Sequence, residues 1–251
     1  MKKIVHPDYT RLESSFEKII KGDYTPDIVF CNKRNVVEKV TIANEEFVVK
    51  RYKRPPLINK IAYCLFRKSK ARRAYEYAIE LLERGVDTPF PVAYFEFYKN
   101  GLFDYGVFIS KYVPYRLFEN VYDESVPAVE RAAILDGFVD FMMYVHKKGI
   151  KPMDMNGGNI FYHKDEKSGL YRYALTDINR MQFDVSPGFY DMVFSFEQCF
   201  AELDRLSDLA RIYGKKVGID AMVVLYYILS NRMKRVKRIH LRMRMSNRKP
   251  E

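Results

Sequence analysis

The stretch Pro152-Met153-Asp154-Met155-Asn156-Gly157-Gly158-Asn159-Ile160-Phe161-Tyr162, with Asp177-Ile178-Asn179 downstream, decides how the rest of this chain is read. An Asp stands five residues before an Asn, and the Asn runs directly into an apolar, strand-like segment. A second such segment, Tyr173-Ala174-Leu175-Thr176, delivers Asp177. In chemical terms these are one carboxylate to take a proton from a hydroxyl, and an amide oxygen and a second carboxylate to hold Mg²⁺. Phosphoryl transfer from ATP uses those groups, because its catalysis is mostly positioning and charge neutralisation. Taken alone, the same residues also describe an exposed turn, since Asp, Asn and Gly all favour turns.

The spacing Asp154 to Asn159, followed by Asp177, resembles the D-x-x-x-x-N loop and the metal-binding Asp of the protein-kinase-like fold. Working outward, the order of the remaining pieces fits that resemblance. Ile28 to Cys31, Val36 to Ala43 and Phe47 to Lys50 read as strands of an antiparallel meander separated by turn residues. Lys50 closes the third run as the phosphate-holding lysine of that fold does. Lys53 is its competitor, but three apolar residues precede Lys50 directly. Ala71 to Arg84 reads as a helix ended by Gly85, with Pro89 beyond. Its Glu76 and Glu80 share a face at i, i+4. Glu76 is the expected partner of Lys50, and Glu80 the alternative. Val92 to Tyr98 and Tyr105 to Tyr112 are the fourth and fifth strands. Lys111 to Pro114 then falls at the hinge, where the backbone of Lys111 and Val113 is expected to meet the adenine edge. Pro127 to Lys148 is an amphipathic helix leading into the loop, with Ile134, Leu135, Phe138, Phe141, Met142 and Val145 on one stripe. His146 near its end is expected to be structural.

The expected architecture is therefore α+β: a bilobal kinase-like fold with a five-stranded antiparallel sheet plus one helix, then a reduced, mainly helical second lobe. The boundaries expected are 1–24 for a lead-in, 25–112 and 113–230 for the lobes, and 231–251 for a basic tail. Two departures from protein kinases stand out. No glycine occurs between Gly22 and Gly85, so Lys33 or Arg34 would have to cover the nucleotide instead. Pro152 replaces the usual His before the loop, Asp177-Ile178-Asn179 replaces D-F-G, and no A-P-E follows.

More closely, the chain resembles the lipopolysaccharide kinase family, which phosphorylates Kdo or heptose of the inner core. That resemblance is carried by Phe47 to Tyr52, Glu76 through Gly85 to Ala93, His146 to Ile150, Asp154 to Phe161, and Leu175 to Arg180. It implies an ATP- and Mg²⁺-dependent kinase. Asp154 would orient or deprotonate the hydroxyl, Asn159 and Asp177 would hold the metal, and Lys50 the phosphates. It also implies a glycolipid acceptor and a cytoplasmic enzyme placed peripherally at the inner membrane.

Composition bears on the partner. From Asn231 to Glu251 there are nine Lys/Arg and one acid, so this tail holds +8 of the total +11, and the other 230 residues hold +3. Such a tail suits an anionic membrane surface. It also suits nucleic acid, but the nearly neutral body and the lack of interleaved aromatics argue against that, and no nucleic-acid partner is expected. A kinase-like scaffold without activity, or an acceptor of another class, are the remaining alternatives. The N-terminus lacks the apolar stretch of a signal peptide. The run Ala221 to Leu229 is too short to span a bilayer and reads as a core helix. Cys31, Cys64 and Cys199 form no ligand pattern and read as reduced thiols.

Overall fold

The computed structural model of the chain describes residues 1–33 and 35–246, with side chains as far as Met243. Arg34, one of the two expected nucleotide-covering residues, lies outside them. The chain divides into two compact units, Met1–Pro114 with Leu175–Asn179, and Tyr115–Ala174 with Arg180–Glu251.

The first unit holds β1 (Lys2–Val5), a 3₁₀ turn (Pro7–Leu12), α1 (Glu13–Lys21), β2 (Ile28–Asn32), β3 (Val36–Ile42) and β4 (Glu45–Arg51). There follow α2 (Leu57–Leu65), α3 (Lys70–Glu83), β5 (Pro91–Lys99) and β6 (Leu102–Lys111). The strands form a single sheet in the order β1-β5-β6-β4-β3-β2, with every neighbouring pair antiparallel. The expected five strands and one helix thus become six strands and three helices. The extra strand comes from the lead-in: β1 pairs with β5 through Ile4↔Tyr94 and Val5↔Ala93. A four-residue edge strand exposed along most of its length shows no alternation to read. The helical part of the lead-in is α1, where Phe16, Ile19 and Ile20, with Leu12 just before it, are buried with Phe47, Val49, Phe95 and Ile109. Phe16 meets Phe47 edge to face at 5.4 Å. Each such fully buried side chain contributes roughly 1.5–3 kcal/mol. Residues 1–24 are part of this unit's core.

The second unit holds β7 (Arg116–Leu117), a 3₁₀ turn (Phe118–Tyr122), α4 (Ala128–Lys147), β8 (Lys151–Pro152) and a 3₁₀ turn at Gly157–Asn159. There follow β9 (Ile160–Lys164), β10 (Tyr171–Leu175), β11 (Met181–Gln182), α5 (Phe189–Cys199), α6 (Leu203–Val217) and α7 (Ala221–Ser246). The α4 stripe is buried as expected at Ile134, Leu135, Phe138, Met142 and Val145, and the Phe138 ring lies 4.1 Å from Phe118. Helix α7 runs straight through the boundary expected at residue 231. Val224 and Ile228 bury its first turns. The Arg232 guanidinium donates to the carbonyls of Glu197 (2.9 Å), Ala201 (2.6 Å) and Phe200 at the end of α5. Glu197, 1% exposed, is paired with Arg235 at 2.7 Å and approached by Arg232 at 3.7 Å. Two cations counted by composition in the basic tail are therefore fixtures of the helical unit. No helix among the described residues is long and apolar enough to cross a membrane.

Candidate active site

In the first unit, the pleat of β4 sends Phe47 and Val49 into the core and Val48 and Lys50 to the other face. Lys50 is held centrally, opposite Val37 of β3 and Phe108 of β6. Its ammonium lies 2.7 Å from Oδ1 of Asp177 and 5.5 Å from the Tyr52 ring centre. Lys53, the competitor, is exposed beyond the strand. Asp177 has a left-handed backbone, φ 51°, and Asn179 donates to its Oδ1 at 2.6 Å. The segment carrying it is tied to the loop after α3. Leu175 N–H donates to Asp87 O at 2.9 Å, and Thr88 Oγ1 donates to Leu175 O at 2.7 Å. Lys50 and Asp177 both line a cavity of about 80 Å³ whose apolar walls include Val37, Val48 and Phe108.

The expected Lys50–Glu76 pair is not formed. Lys68 (2.8 Å) and Arg72 (2.8 Å) hold the Glu76 carboxylate, and Glu80 is held by Arg84. Burial alone would raise the Glu76 pKa, but these two cations outweigh it and hold it below the ordinary value. Both competitors sit on or next to the same helix, at short range, which decides the pairing. At the hinge position the Lys111 N–H is committed to Phe90 O at 2.9 Å, and its ammonium to Glu45 at 2.9 Å. Val113 follows half-buried in the irregular segment after β6.

In the second unit, the loop from Asp154 to Asn159 is closed by its own ends. Asn159 Nδ2 donates to the Asp154 carbonyl at 3.1 Å, which leaves the amide oxygen of Asn159 as the free end of that side chain. Asn156 Oδ1 caps the turn by accepting from Gly158 N–H at 3.0 Å. The two glycines answer a packing need as well as a turn. A Cβ on Gly157 would lie 2.8 Å from the Cys199 carbonyl, and one on Gly158 3.0 Å from a Glu119 carboxylate oxygen. In place of the missing His, Pro152 is buried in β8, paired with Met181 of β11, and Met153 N–H donates to Arg180 O at 3.0 Å. Lys151 pairs with Asp191 of α5 at 2.5 Å, anchoring the loop's entry. The Asp154 carboxylate, 42% exposed, faces Arg180 at 3.6 Å. Arg180 and Asn179 stood in the sequence pattern without a role; their signal was adjacency to Asp177.

His146 on α4 is buried, with Nε2 lacking a hydrogen-bond partner. Burial pushes its pKa down to about 4; Lys151 adds to the fall and Asp191 opposes it. The imidazole is thus neutral in the folded chain, whereas the unfolded one titrates near 6.5. Between those values the unfolded state binds the extra proton, so stability is full above about pH 6.5 and falls as pH drops towards 4. A loss on the order of 2–3 kcal/mol is expected across that window. Urea titrations at pH 7.5 and 4.5 should show it for the wild type and much less of it for His146→Leu. An equal loss in both would remove His146 as the cause.

Among solved structures, the chain is similar to WaaP in complex with acyl carrier protein. The match covers 94% of this chain and 99% of that one, at 15% identity with a TM-score of 0.61. The fold is kinase-like. No family model matches the sequence, and no curated protein matches it. At this identity the likeness carries the fold, and the chemistry rests on the residues above.

Asp177 in the first unit supplies carboxylate oxygens at the cavity, and Asn159 in the second has an amide oxygen turned away from its own hydrogen bond. Each is of the oxygen type that Mg²⁺ takes jointly with phosphate. No cluster of three or more acidic, His or Cys side chains exists among the described residues, so the donor set is sparse.

Proposed function

We propose that this chain is an ATP-dependent phosphotransferase whose acceptor is a sugar hydroxyl, Kdo or heptose, of the lipopolysaccharide inner core. The observation that carries the reading is Lys50 against Asp177 at a small, apolar-walled cavity, on the sequence order that also yields the Asp154–Asn159 loop. In this reading Lys50 holds the α/β-phosphates and Lys111 O and Val113 N–H meet the adenine edge. Asp177 and Asn159 hold Mg²⁺, which when bound neutralises charge developing on the phosphates. Asp154 accepts the hydroxyl proton, with Arg180 and the Asn159 amide fixing its part of the loop. Glu76, held by Lys68 and Arg72, would act on Lys50 only after exchanging those partners.

The choice of sugar rests on the family resemblance; the similarity to WaaP supports the kinase-like fold on which that reading is built. The site of action we propose is peripheral, at the cytoplasmic face of the inner membrane. Of the tail, Lys234, Lys237, Arg238 and Arg242 are exposed along α7 for contact with anionic lipid. The deciding assay uses γ-labelled ATP with Mg²⁺ and, separately, Kdo-lipid A and heptosylated core as acceptors. Label appearing on one of these sugars is the expected result. ATP turnover with label going to protein or a small molecule instead would overturn the acceptor and keep the kinase.

A further inference from the structure

The most cationic part of the first unit is remote in sequence from the tail. Arg51 to Tyr75 contains nine Lys/Arg and no acid. Carboxylates from outside the stretch pair with some of these cations: Glu38 with Arg51, Asp104 with Arg54 and Lys60, and Glu76 with Lys68 and Arg72. In its middle stands α2, which buries no residue. Leu57, Ile58, Ile61 and Leu65 fall within an arc of about 100° at 3.6 residues per turn, and Phe66 follows at the helix end. All five are exposed, Ile58 and Phe66 at 81%. The opposite side rests on β6, where Tyr63 meets Phe103 edge to face at 5.1 Å and Lys60 reaches Asp104 at 2.9 Å.

Beside this helix, and sharing Tyr52 with the cavity at Lys50, lies a larger opening of about 270 Å³, with Lys53, Arg54 and Lys70 on its wall. The hydroxyl of Tyr52, a buried residue that also lines it, has no hydrogen-bond partner. A convex apolar arc set in a field of cations, with a basic recess at its foot, has the character of a helix that lies in a bilayer interface. A protein partner would need a matching apolar groove. A bilayer needs only apolar depth and negative headgroups, which is the charge complement on offer.

We infer that α2 is an interfacial anchor that seats the first unit on an anionic phospholipid surface. Leu57, Ile58, Ile61, Leu65 and Phe66 enter the acyl boundary, while Lys53, Arg54 and Lys70 meet headgroup phosphates. The anchor acts alongside the tail contact proposed above and is independent of what the acceptor is.

The chain contains no tryptophan, so a single one reports without background. Phe66→Trp, compared with Met233→Trp on α7, is mixed with vesicles of phosphatidylglycerol and phosphatidylcholine carrying brominated acyl chains. Phe66→Trp should shift to the blue and be quenched on the anionic vesicles, and stay unquenched on pure phosphatidylcholine. Ile58→Asp/Leu65→Asp, two changes at exposed positions, should weaken vesicle sedimentation at least tenfold with an unchanged thermal melt. Quenching at Met233→Trp alone, or undiminished sedimentation of the double variant, would overturn the anchor. An acidic protein bound through α2 while vesicles are ignored would overturn it in favour of a protein surface. Because the readout is binding, a chain that fails to phosphorylate a sugar leaves this result standing.

Discussion

Asp154→Asn should lower phosphoryl transfer by about 10²-fold or more, the scale at which a positioned base contributes, while ATP binding stays near that of the wild type. The two parts of that expectation rest on different residues. The amide keeps the shape of the side chain and leaves the Asn159 bond to the residue-154 carbonyl in place, since that bond uses the main chain. What it removes is the capacity to accept a proton, and with it the charge facing Arg180. Lys50 and Asp177, to which we assign phosphate and metal, belong to the other compact unit and are untouched. Asp177→Ala should behave differently, losing the Mg²⁺ dependence of ATP binding together with activity and leaving Lys50 without its partner at 2.7 Å. Calorimetry of ATP with and without Mg²⁺, run beside initial rates, separates the two variants. An Asp154→Asn enzyme that transfers phosphate at the wild-type rate would take the base role away from Asp154. Equal Mg²⁺ dependence in wild type and Asp177→Ala would take the metal from Asp177.

What could be read from the sequence follows the range of the forces involved. The strands β2 to β6, helix α3 and helix α4 are set by alternation, by 3.6-residue periodicity and by turn chemistry. All of these are local, and they appear within a residue or two of where they were expected, except that β6 begins three residues earlier, at Leu102. Pairings were harder. Glu76 and Glu80 are equivalent by spacing, and only the folded chain shows Lys68 and Arg72 closing on one and Arg84 on the other. Lys50 takes a carboxylate that lies far along the chain, which no window reveals. Strand β1 was missed because an exposed edge strand needs no pattern of its own; its partner β5 supplies the ladder. Leu57 to Lys70 reads in the sequence as a basic, helical-looking connector, and α2 forms within it; that its apolar residues stay exposed shows only in the folded chain. At the other end, composition suggested a break at residue 231 where the helical period continues unbroken to Ser246.

That continuity decides how the tail has to be probed. A chain ending at Asn231 loses Arg232 and Arg235 and leaves Glu197 buried at 1% exposure with no cation. It also uncaps the carbonyls of Glu197, Phe200 and Ala201 at the end of α5, where a cation is favoured by the unsatisfied acceptors. Removing one side of a buried pair costs about 3–5 kcal/mol, because the remaining charge is neither hydrated nor compensated. This is a large share of the stability of a domain, typically about 5–15 kcal/mol. A chain ending after Val236 keeps both arginines and should stay within about 1 kcal/mol of the full chain, the range of surface changes. Urea unfolding of the two truncations gives the comparison directly. Adding Glu197→Gln to the shorter chain should restore part of the loss, because a neutral amide costs less to leave unpaired than a carboxylate. A shortened helix alone would gain nothing from it. If the chain ending at Asn231 unfolds with the full-length midpoint, or if Glu197→Gln deepens its loss, the pairing of Glu197 with Arg232 and Arg235 does not hold α7 to α5. The membrane contact of the tail is then properly tested by Lys237→Glu, Arg238→Glu and Arg242→Glu in the full chain. These remove exposed charge and leave Glu197 with both of its arginines.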